Sequence, residues 1–169
     1  GYYSEKKPLW DGKAIDGTVL VYGEQGIGDQ INFGTLIPEL LETQKNIILK
    51  VDERLIDIFT NTFPEIQVYP QHVTVPSKIY DKYISLGSLC KFYRNHTKKF
   101  VNSKFTKYSI NQSKDIEIKN IFSKISGFKI GISWHSFSSK TGKERCLSTE
   151  QLAKITKKQK INFFNIQYG

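Results

Sequence analysis

Short apolar runs and helical stripes alternate along the chain. Thr18–Tyr22 is an apolar run rich in β-branched residues, which predicts a strand, and a glycine-rich segment leads from it into a helical pattern. Pro38 lies inside that pattern and lacks a backbone N–H, so we expect one helix with a kink there, for which Gly34 leaves room. The apolar positions of this helix form one broad face that can pack on a sheet: Ile31, Phe33, Leu36, Ile37, Leu40 and Leu41.

The strand-then-helix order continues beyond this helix. Asp52 fits the N-cap of a second helix, which Pro64 ends, and Ser88 can start a short helix through Tyr93. Strands that alternate with helices usually pair in parallel, so we expect an α/β domain with a parallel sheet over residues 1–126. Its further strands are predicted at residues 46–51, 66–69 and 80–86.

The remaining residues predict the start of a second unit. Gly127 suits the position just after a helix predicted over residues 114–126. Strands are predicted at 128–134 and 161–166, and between them Ser148 and Gln151 have the spacing of a capping box at a helix start. We therefore expect residues 127–169 to be the opening β-α-β unit of a second, truncated domain.

Residues 91–108 contain six basic and five aromatic residues and no acidic residue, and neither a helical nor a strand period is sustained in them. This pattern predicts a long basic loop. Lysines interleaved with aromatic residues occur in proteins that bind single-stranded nucleic acid. A solvated surface, or a loop lining an anionic or sugar-bearing acceptor, explains the same residues without nucleic acid.

Length and composition narrow the classes of function. A chain of 169 residues suffices for about one domain, and no apolar run reaches the roughly 20 residues of a membrane-spanning helix. The two cysteines, Cys90 and Cys146, lie far apart and indicate neither a disulfide framework nor a zinc site, so we expect no metal and a reducing cytoplasm. Because methionine is absent and the chain stops directly after an apolar run, we expect it to be part of a longer protein.

Charge is unevenly distributed along the chain. Residues 1–77 carry 6 basic and 11 acidic side chains, a net charge of −5, whereas residues 78–169 carry 19 and 5, a net charge of +14. Only Arg54, Arg94 and Arg145 are arginine, the residue that reads guanine bidentately. The basic half therefore predicts an anionic partner but no specific nucleic acid.

The strongest candidate site is the segment Gly23–Asp29 between the first strand and the first helix. Gly26 and Gly28 let the backbone approach a ligand, and N–H groups at a helix start attract anions. Asp29 follows a parallel strand, where open α/β sheets place ligands, and its carboxylate can accept a proton from a substrate hydroxyl. The alternative is structural, because aspartate is also a favoured helix cap; Glu24 is a second candidate base, or it orients the loop by binding backbone amides.

A second candidate site follows the strand at residues 128–134. Lys140, Thr141, Lys143 and Arg145 place cations and a hydroxyl in a polar segment before the capped helix, a pattern that suits a diphosphate. The alternative is that these side chains are simply solvated. His135 could donate to a ligand, but it has no neighbouring histidine or cysteine that would suggest a metal.

Several short motifs, taken in order, resemble one group of proteins. They are Pro8–Gly12 (PLWDG), Glu24–Asp29 (EQGIGD), Pro38, Ile84–Leu89, Gly131–Trp134, Arg145–Ser148 and Phe164–Gly169. The chain resembles the glycosyltransferase-like region that follows tetratricopeptide repeats in many bacterial proteins, which is similar to glycosyltransferase family 9, the heptosyltransferases. That family has two Rossmann-like domains in the GT-B arrangement, and the resemblance implies the same here, with residues 1–126 on the acceptor side and tetratricopeptide repeats upstream.

The resemblance also implies a reaction. In the related transferases an aspartate at the place of Asp29 acts as base on the acceptor hydroxyl, and basic residues at the place of Lys140, Lys143 and Arg145 contact the donor diphosphate. The donor would be a nucleotide-diphosphate sugar and the acceptor a glycan, lipid or protein, with no metal or other cofactor. We expect the whole enzyme to be cytoplasmic, and a peripheral position at the inner membrane is left open. The 169-residue fragment alone is expected to be inactive. The alternative is a noncatalytic module that binds an anionic glycan, a lipid headgroup or RNA.

Overall fold

The computed structural model describes residues 7–24, 26–101, 106–136, 142–157 and 161–167. The chain divides into two compact units, Gly1–Asp115 and Ile116–Gly169. None of the described helices is both long enough and apolar enough to cross a membrane.

A four-stranded parallel sheet organises the first unit. Its strands lie in the order β3-β2-β1-β4, and each pairs in parallel with its neighbour. Val21 lies opposite Leu49 on one side and Ile84 on the other, so these central positions face the same layer. The predicted α/β fold with a parallel sheet is confirmed, and it is of the Rossmann-like kind. The strands are β1 (Val19–Tyr22), β2 (Ile47–Val51), β3 (Gln67–Pro70) and β4 (Lys82–Ser85).

The single kinked helix predicted after β1 is wrong, because two helices occupy its place. The first, α1 (Ile27–Gly34), ends four residues before Pro38, and the second, α2 (Ile37–Thr43), carries Pro38 in its first turn. A first-turn proline loses no helical hydrogen bond, so it starts a helix here rather than bending one. Gly34 does not make room for a proline kink, as expected, but for the side chains of Tyr108 and Phe59. A methyl group at Gly34 would lie 2.5 Å from Tyr108 Oη and 2.6 Å from the Phe59 ring.

The predicted cap at Asp52 is confirmed. Its carboxylate accepts a hydrogen bond of 3.0 Å from the backbone N–H of Arg54, at the start of a 3-10 turn (Glu53–Leu55) that leads into α3 (Ile56–Thr62). Asp52 thus satisfies a backbone donor that would otherwise lack a partner.

The predicted short helix that ends at Tyr93 is confirmed: a 3-10 turn (Gly87–Leu89) leads into α4 (Cys90–Tyr93). The prediction of a loop is wrong over Lys98–Val101, which form a further short helix, α5. Arg94 fixes α4 to α2, because its guanidinium donates to both carboxylate oxygens of Glu39 at 2.6 and 2.8 Å. Trp10 contacts the same segment through an edge-to-face contact with Phe92, at 5.2 Å between ring centroids. These long-range contacts supply the order that the local sequence pattern does not indicate.

The core of the first unit lies between the helices and one face of the sheet. Val19, Val21, Leu40, Leu49 and Phe59 are all fully buried there. Burial of such a side chain stabilises the fold by about 1.5–3 kcal/mol. A smaller cluster covers the other face of the sheet and consists of Leu20, Ile48, Val75 and Tyr80.

The second unit contains a two-stranded parallel sheet. Its elements are α6 (Gln112–Ser123), β5 (Phe128–Ile132), α7 (Thr149–Thr156) and β6 (Ile161–Asn165), with α6 beginning in the first unit. Phe122 packs edge-to-face on Phe164, at 4.6 Å between ring centroids. The predicted capping box of Ser148 and Gln151 is present. The helix predicted to run to residue 126 ends at Ser123, so the expectation that Gly127 directly follows the helix is wrong; Gly127 has a left-handed φ of 86° directly before β5. The predicted domain boundary after residue 126 lies just past the end of α6, whereas the compact units divide inside that helix.

Candidate functional site

Asp29 lies in the first turn of α1 but does not cap it. The N-cap is Gly26, which has no side chain to donate or accept, and Asp29 stands three residues further on. Its side chain is exposed and forms no hydrogen bond or ion pair with any other residue that the structure describes. The structural alternative of an aspartate cap is therefore absent, and the carboxylate is available to an external group.

The two candidate glycines are not explained by packing or by backbone strain. Gly26 has φ −64°, which any residue adopts, and a methyl group on Gly28 would meet nothing within 4 Å. Open space above Gly28 is what the approach of a ligand to the backbone would require. Gly23 differs, because a methyl group there would lie 2.6 Å from the buried side chain of Gln30.

Asp52 and Gln71, at the same end of the sheet, are held by contacts within the protein. The Arg54 guanidinium donates to both oxygens of Asp52 at 2.8 and 2.9 Å, and this contact lowers the pKa of Asp52 to about 2. Gln71 donates to the carbonyl of Gly23 at 2.8 Å. Glu24 is exposed and lies over Gly87, where a methyl group would come within 2.8 Å of its Oε1. Asp29 and Glu24 are thus both exposed carboxylates without a hydrogen bond or ion pair to the described residues, and the choice of Asp29 as the base stays a prediction.

Gln30 is a site residue that sequence reasoning missed. It is only 2% exposed, and its side-chain oxygen accepts a hydrogen bond of 2.8 Å from the backbone N–H of Asp52. This contact ties the first turn of α1 to the end of β2, so it fixes the position of the neighbouring Asp29. The available signal was a polar residue beside the apolar stripe, which by itself indicates solvent exposure.

The candidate phosphate-binding residues of the second unit are only partly described. Lys140 and Thr141 lie outside the described residues, and for Lys143 only the backbone is described, in a 3-10 turn (Lys143–Arg145). The side chain of Arg145 is exposed. The prediction that these residues bind a diphosphate stays a prediction.

The start of the segment after β5 is held by side chains from elsewhere in the second unit. The amide oxygen of Gln167 accepts three hydrogen bonds: from the Ser133 hydroxyl at 2.9 Å, the Trp134 N–H at 3.1 Å and the His135 N–H at 2.9 Å. Cys146 accepts from the Ser136 N–H at 3.3 Å and donates to the Gly142 carbonyl at 2.9 Å. Three successive backbone N–H groups are thereby satisfied without regular secondary structure.

Two further features bear on what the chain can hold. Among the described residues, no three side chains of histidine, cysteine, aspartate or glutamate lie together as metal ligands would, and the expectation of a metal-free reaction stays a prediction. A groove of about 340 Å³ lies at the amino ends of the strands, the opposite edge of the sheet from Asp29. Thr18, Lys45, Glu65 and Gln67 are among its lining residues, and none of the candidate site residues is.

The comparisons with known proteins leave the family open. The chain is 32% identical to Protein FlbA of Caulobacter vibrioides over a matched segment of 63 residues. That segment covers 35% of this chain and 11% of FlbA. The chain therefore spans about a tenth of the length of the curated relative it matches. No family model matches the chain, and no solved structure matches it. What the fold and the site define is a Rossmann-like α/β unit with an available carboxylate at the carboxyl edge of its sheet, and the resemblance to glycosyltransferase family 9 stays a prediction.

Proposed function

We propose that this chain is part of a GT-B-type glycosyltransferase that transfers a sugar from a nucleotide-diphosphate sugar to a hydroxyl of a glycan, lipid or protein. The observation that carries the proposal is the exposed carboxylate of Asp29, in the first turn after β1, with open space above Gly28 beside it. Ligands of open parallel sheets bind at this edge. The short motifs that resemble glycosyltransferase family 9 support the same assignment.

In the proposed reaction Asp29 accepts the proton of the acceptor hydroxyl, whose oxygen forms a bond to the anomeric carbon of the donor sugar. The bond between that carbon and the diphosphate oxygen breaks, and the nucleoside diphosphate leaves with the electron pair. Cationic side chains at Lys140, Lys143 and Arg145 stabilise the charge that develops on the leaving group. The donor is a substrate, so the chain itself needs no resident cofactor for these steps.

The decisive experiment is Asp29→Asn in the full-length protein, assayed for transfer from a panel of nucleotide sugars. Loss of a general base lowers turnover by about 10²–10⁴-fold, whereas donor binding and the thermal midpoint stay unchanged. Asp57→Asn is the matched control, because Asp57 is also an exposed aspartate in a first helical turn of this unit and pairs with Lys114 at 3.4 Å. Full turnover in Asp29→Asn would contradict the assignment of the base.

The second candidate is a noncatalytic module that binds an anionic glycan, a lipid headgroup or RNA. The exposed lysines of the acid-free segment, such as Lys91, Lys98 and Lys107, favour it. Such a module binds its ligand equally well before and after the Asp29→Asn substitution, and its affinity falls as salt rises. The absence of transfer with every donor, together with salt-sensitive binding to one of these ligands, would replace the enzyme proposal with this one.

A further inference from the structure

We infer that Glu24 is a specificity-determining residue, which binds neighbouring hydroxyls of a neutral sugar in the crevice between the ends of β1 and β4. The inference rests on the proposed function in one respect, that this sugar is the acceptor which Asp29 deprotonates. It narrows the acceptor of that reaction to a sugar. All the residues that carry it belong to the first unit.

The crevice lies where the strand order of the sheet changes direction. From β1 the chain adds β2 and β3 on one side, and it then crosses back to add β4 on the other side of β1. In open parallel sheets, ligands bind at the carboxyl ends of the two strands that flank such a change. Here those strands are β1 and β4, so the order of the sheet selects the crevice between them rather than the one between β1 and β2.

Glu24 and Gly87 face each other across this crevice. Tyr22 and Ser85 are paired at the ends of β1 and β4, and a hydrogen bond of 2.8 Å from the Leu86 N–H to the Tyr22 carbonyl continues the pairing. Glu24 and Gly87 each lie two residues further along their strands. A methyl group on Gly87 would come within 2.8 Å of Glu24 Oε1, so the carboxylate lies directly over the glycine backbone.

The helix α1 borders the same crevice. Asp29 and Phe33 are four residues apart in α1 and therefore lie on one face of the helix. Phe33 Cε2 would lie 3.2 Å from the same methyl group on Gly87 that Glu24 would meet, so the carboxylate and the ring converge on one point. The carboxylate that the proposed reaction uses as its base thus belongs to the helical face beside Glu24.

The chemistry of these groups fits a neutral sugar. A carboxylate can accept hydrogen bonds from two adjacent hydroxyls, and bonds to a charged acceptor are stronger than those between neutral groups. Glu24 is exposed and forms no hydrogen bond or ion pair with another described residue, and the half-buried Phe33 adds an apolar wall. An anionic ligand is disfavoured, because Glu24 and Asp29 repel it and residues 1–77 carry a net charge of −5.

The test is an NMR titration of the 169-residue chain with D-glucose, D-galactose and D-mannose as separate probes, followed at the backbone amides of Gly87 and Phe33. We expect at least one of these sugars to shift both amides. Glu24→Gln is expected to weaken its binding by about tenfold or more, because a neutral amide replaces the charged acceptor.

Glu53→Gln is the matched control. Glu53 is also an exposed glutamate and lies two residues after the end of β2, as Glu24 lies two residues after the end of β1, but β2 does not border the crevice. This variant is expected to bind the sugar as the unmodified chain does. An equal loss of affinity in Glu53→Gln would show a general effect of negative charge and would overturn the inference.

A second variant tests the contact between Glu24 and Gly87. In Gly87→Ala the new methyl group displaces the Glu24 carboxylate, which as the end of a flexible side chain can move without disturbing the core. Gly87→Ala is therefore expected to weaken sugar binding about as much as Glu24→Gln, and the double variant to bind no more weakly than either single one. Losses that add would show that the two residues act separately, against the inferred arrangement.

Two further results would overturn the inference and leave the proposed function standing. One is that none of the three sugars shifts the amides of Gly87 and Phe33. The other is that Glu24→Gln binds the sugar as tightly as the unmodified chain, or more tightly. If the sugar binds as expected but the full-length protein transfers no sugar from any donor, the proposed function fails and the sugar site at Glu24 remains.

Discussion

Two glycines of the same helix are predicted to respond oppositely to the same substitution. Gly28 and Gly34 both lie in α1, but a methyl group on Gly28 meets open space, whereas one on Gly34 would lie 2.6 Å from the ring of Phe59. Phe59 is fully buried, and the Tyr108 hydroxyl, which the same methyl group would approach to 2.5 Å, donates to the Ile31 carbonyl. Neither neighbour can move without loss of packing or of a hydrogen bond.

The magnitudes follow from these surroundings. Replacing glycine by alanine in a helix gains about 0.5–1 kcal/mol, because less backbone entropy is lost on folding. At Gly28 this gain stands alone, so Gly28→Ala is expected to stabilise the first unit by about 0.5 kcal/mol. At Gly34 forcing a methyl group into a packed core costs about 1–3 kcal/mol, so the net effect of Gly34→Ala is a destabilisation of about 1–2 kcal/mol.

The assay is urea unfolding followed by tryptophan fluorescence in a Trp134→Phe background. The sequence has two tryptophans, so this change leaves Trp10, which is 3% exposed in the core of the first unit, as the single reporter. The two variants are expected to move the unfolding midpoint in opposite directions with unchanged m-values. A shift in the same direction for both would refute the packing argument. If Gly28→Ala in the full-length protein lowers the rate of sugar transfer without lowering stability, this result would support the approach of a ligand at Gly28.

Two pH-dependent effects complete the predictions. The Arg54 contact lowers the pKa of Asp52 to about 2, so the stability that it contributes is present above the ordinary value of 3.8 and is lost as the pH falls through about 2. At about pH 6, Asp52→Asn should therefore have a lower urea midpoint of unfolding than the unmodified chain, and the difference between the two midpoints should narrow towards about pH 2. A difference in midpoint that does not change with pH would contradict this. Burial raises the pKa of Tyr108 to about 12, so its contribution is complete below the ordinary value of 10.0 and is lost as the pH rises through about 12. Tyr108→Phe should lower the free energy of unfolding by about 1 kcal/mol at neutral pH, and the stability of this variant should fall less at alkaline pH than that of the unmodified chain. If the ultraviolet titration of the tyrosines is the same in the variant, the raised pKa does not belong to Tyr108.

The elements that local sequence determines are those whose causes lie within a few residues. The capping box of Ser148 and Gln151 closes over three residues, and the Asp52 carboxylate binds the backbone N–H of Arg54 two residues further on. The order of strand, glycine turn and helix around Asp29 is local too. For these features the chain needs no partner from elsewhere in the fold, so the sequence pattern is sufficient.

Only the tertiary structure decided the features whose partners are distant along the chain. Pro38 could have bent a helix or begun one, and the packing of Gly34 against Phe59 and Tyr108 accompanies the second outcome. Gln30 and Gln167 look like ordinary surface residues in the sequence, yet the first binds Asp52 across 22 positions and the second binds Ser133 across 34. A polar side chain becomes structural when folding brings it to backbone donors that have lost water, and that encounter is set by the pairing of strands rather than by its neighbours in sequence.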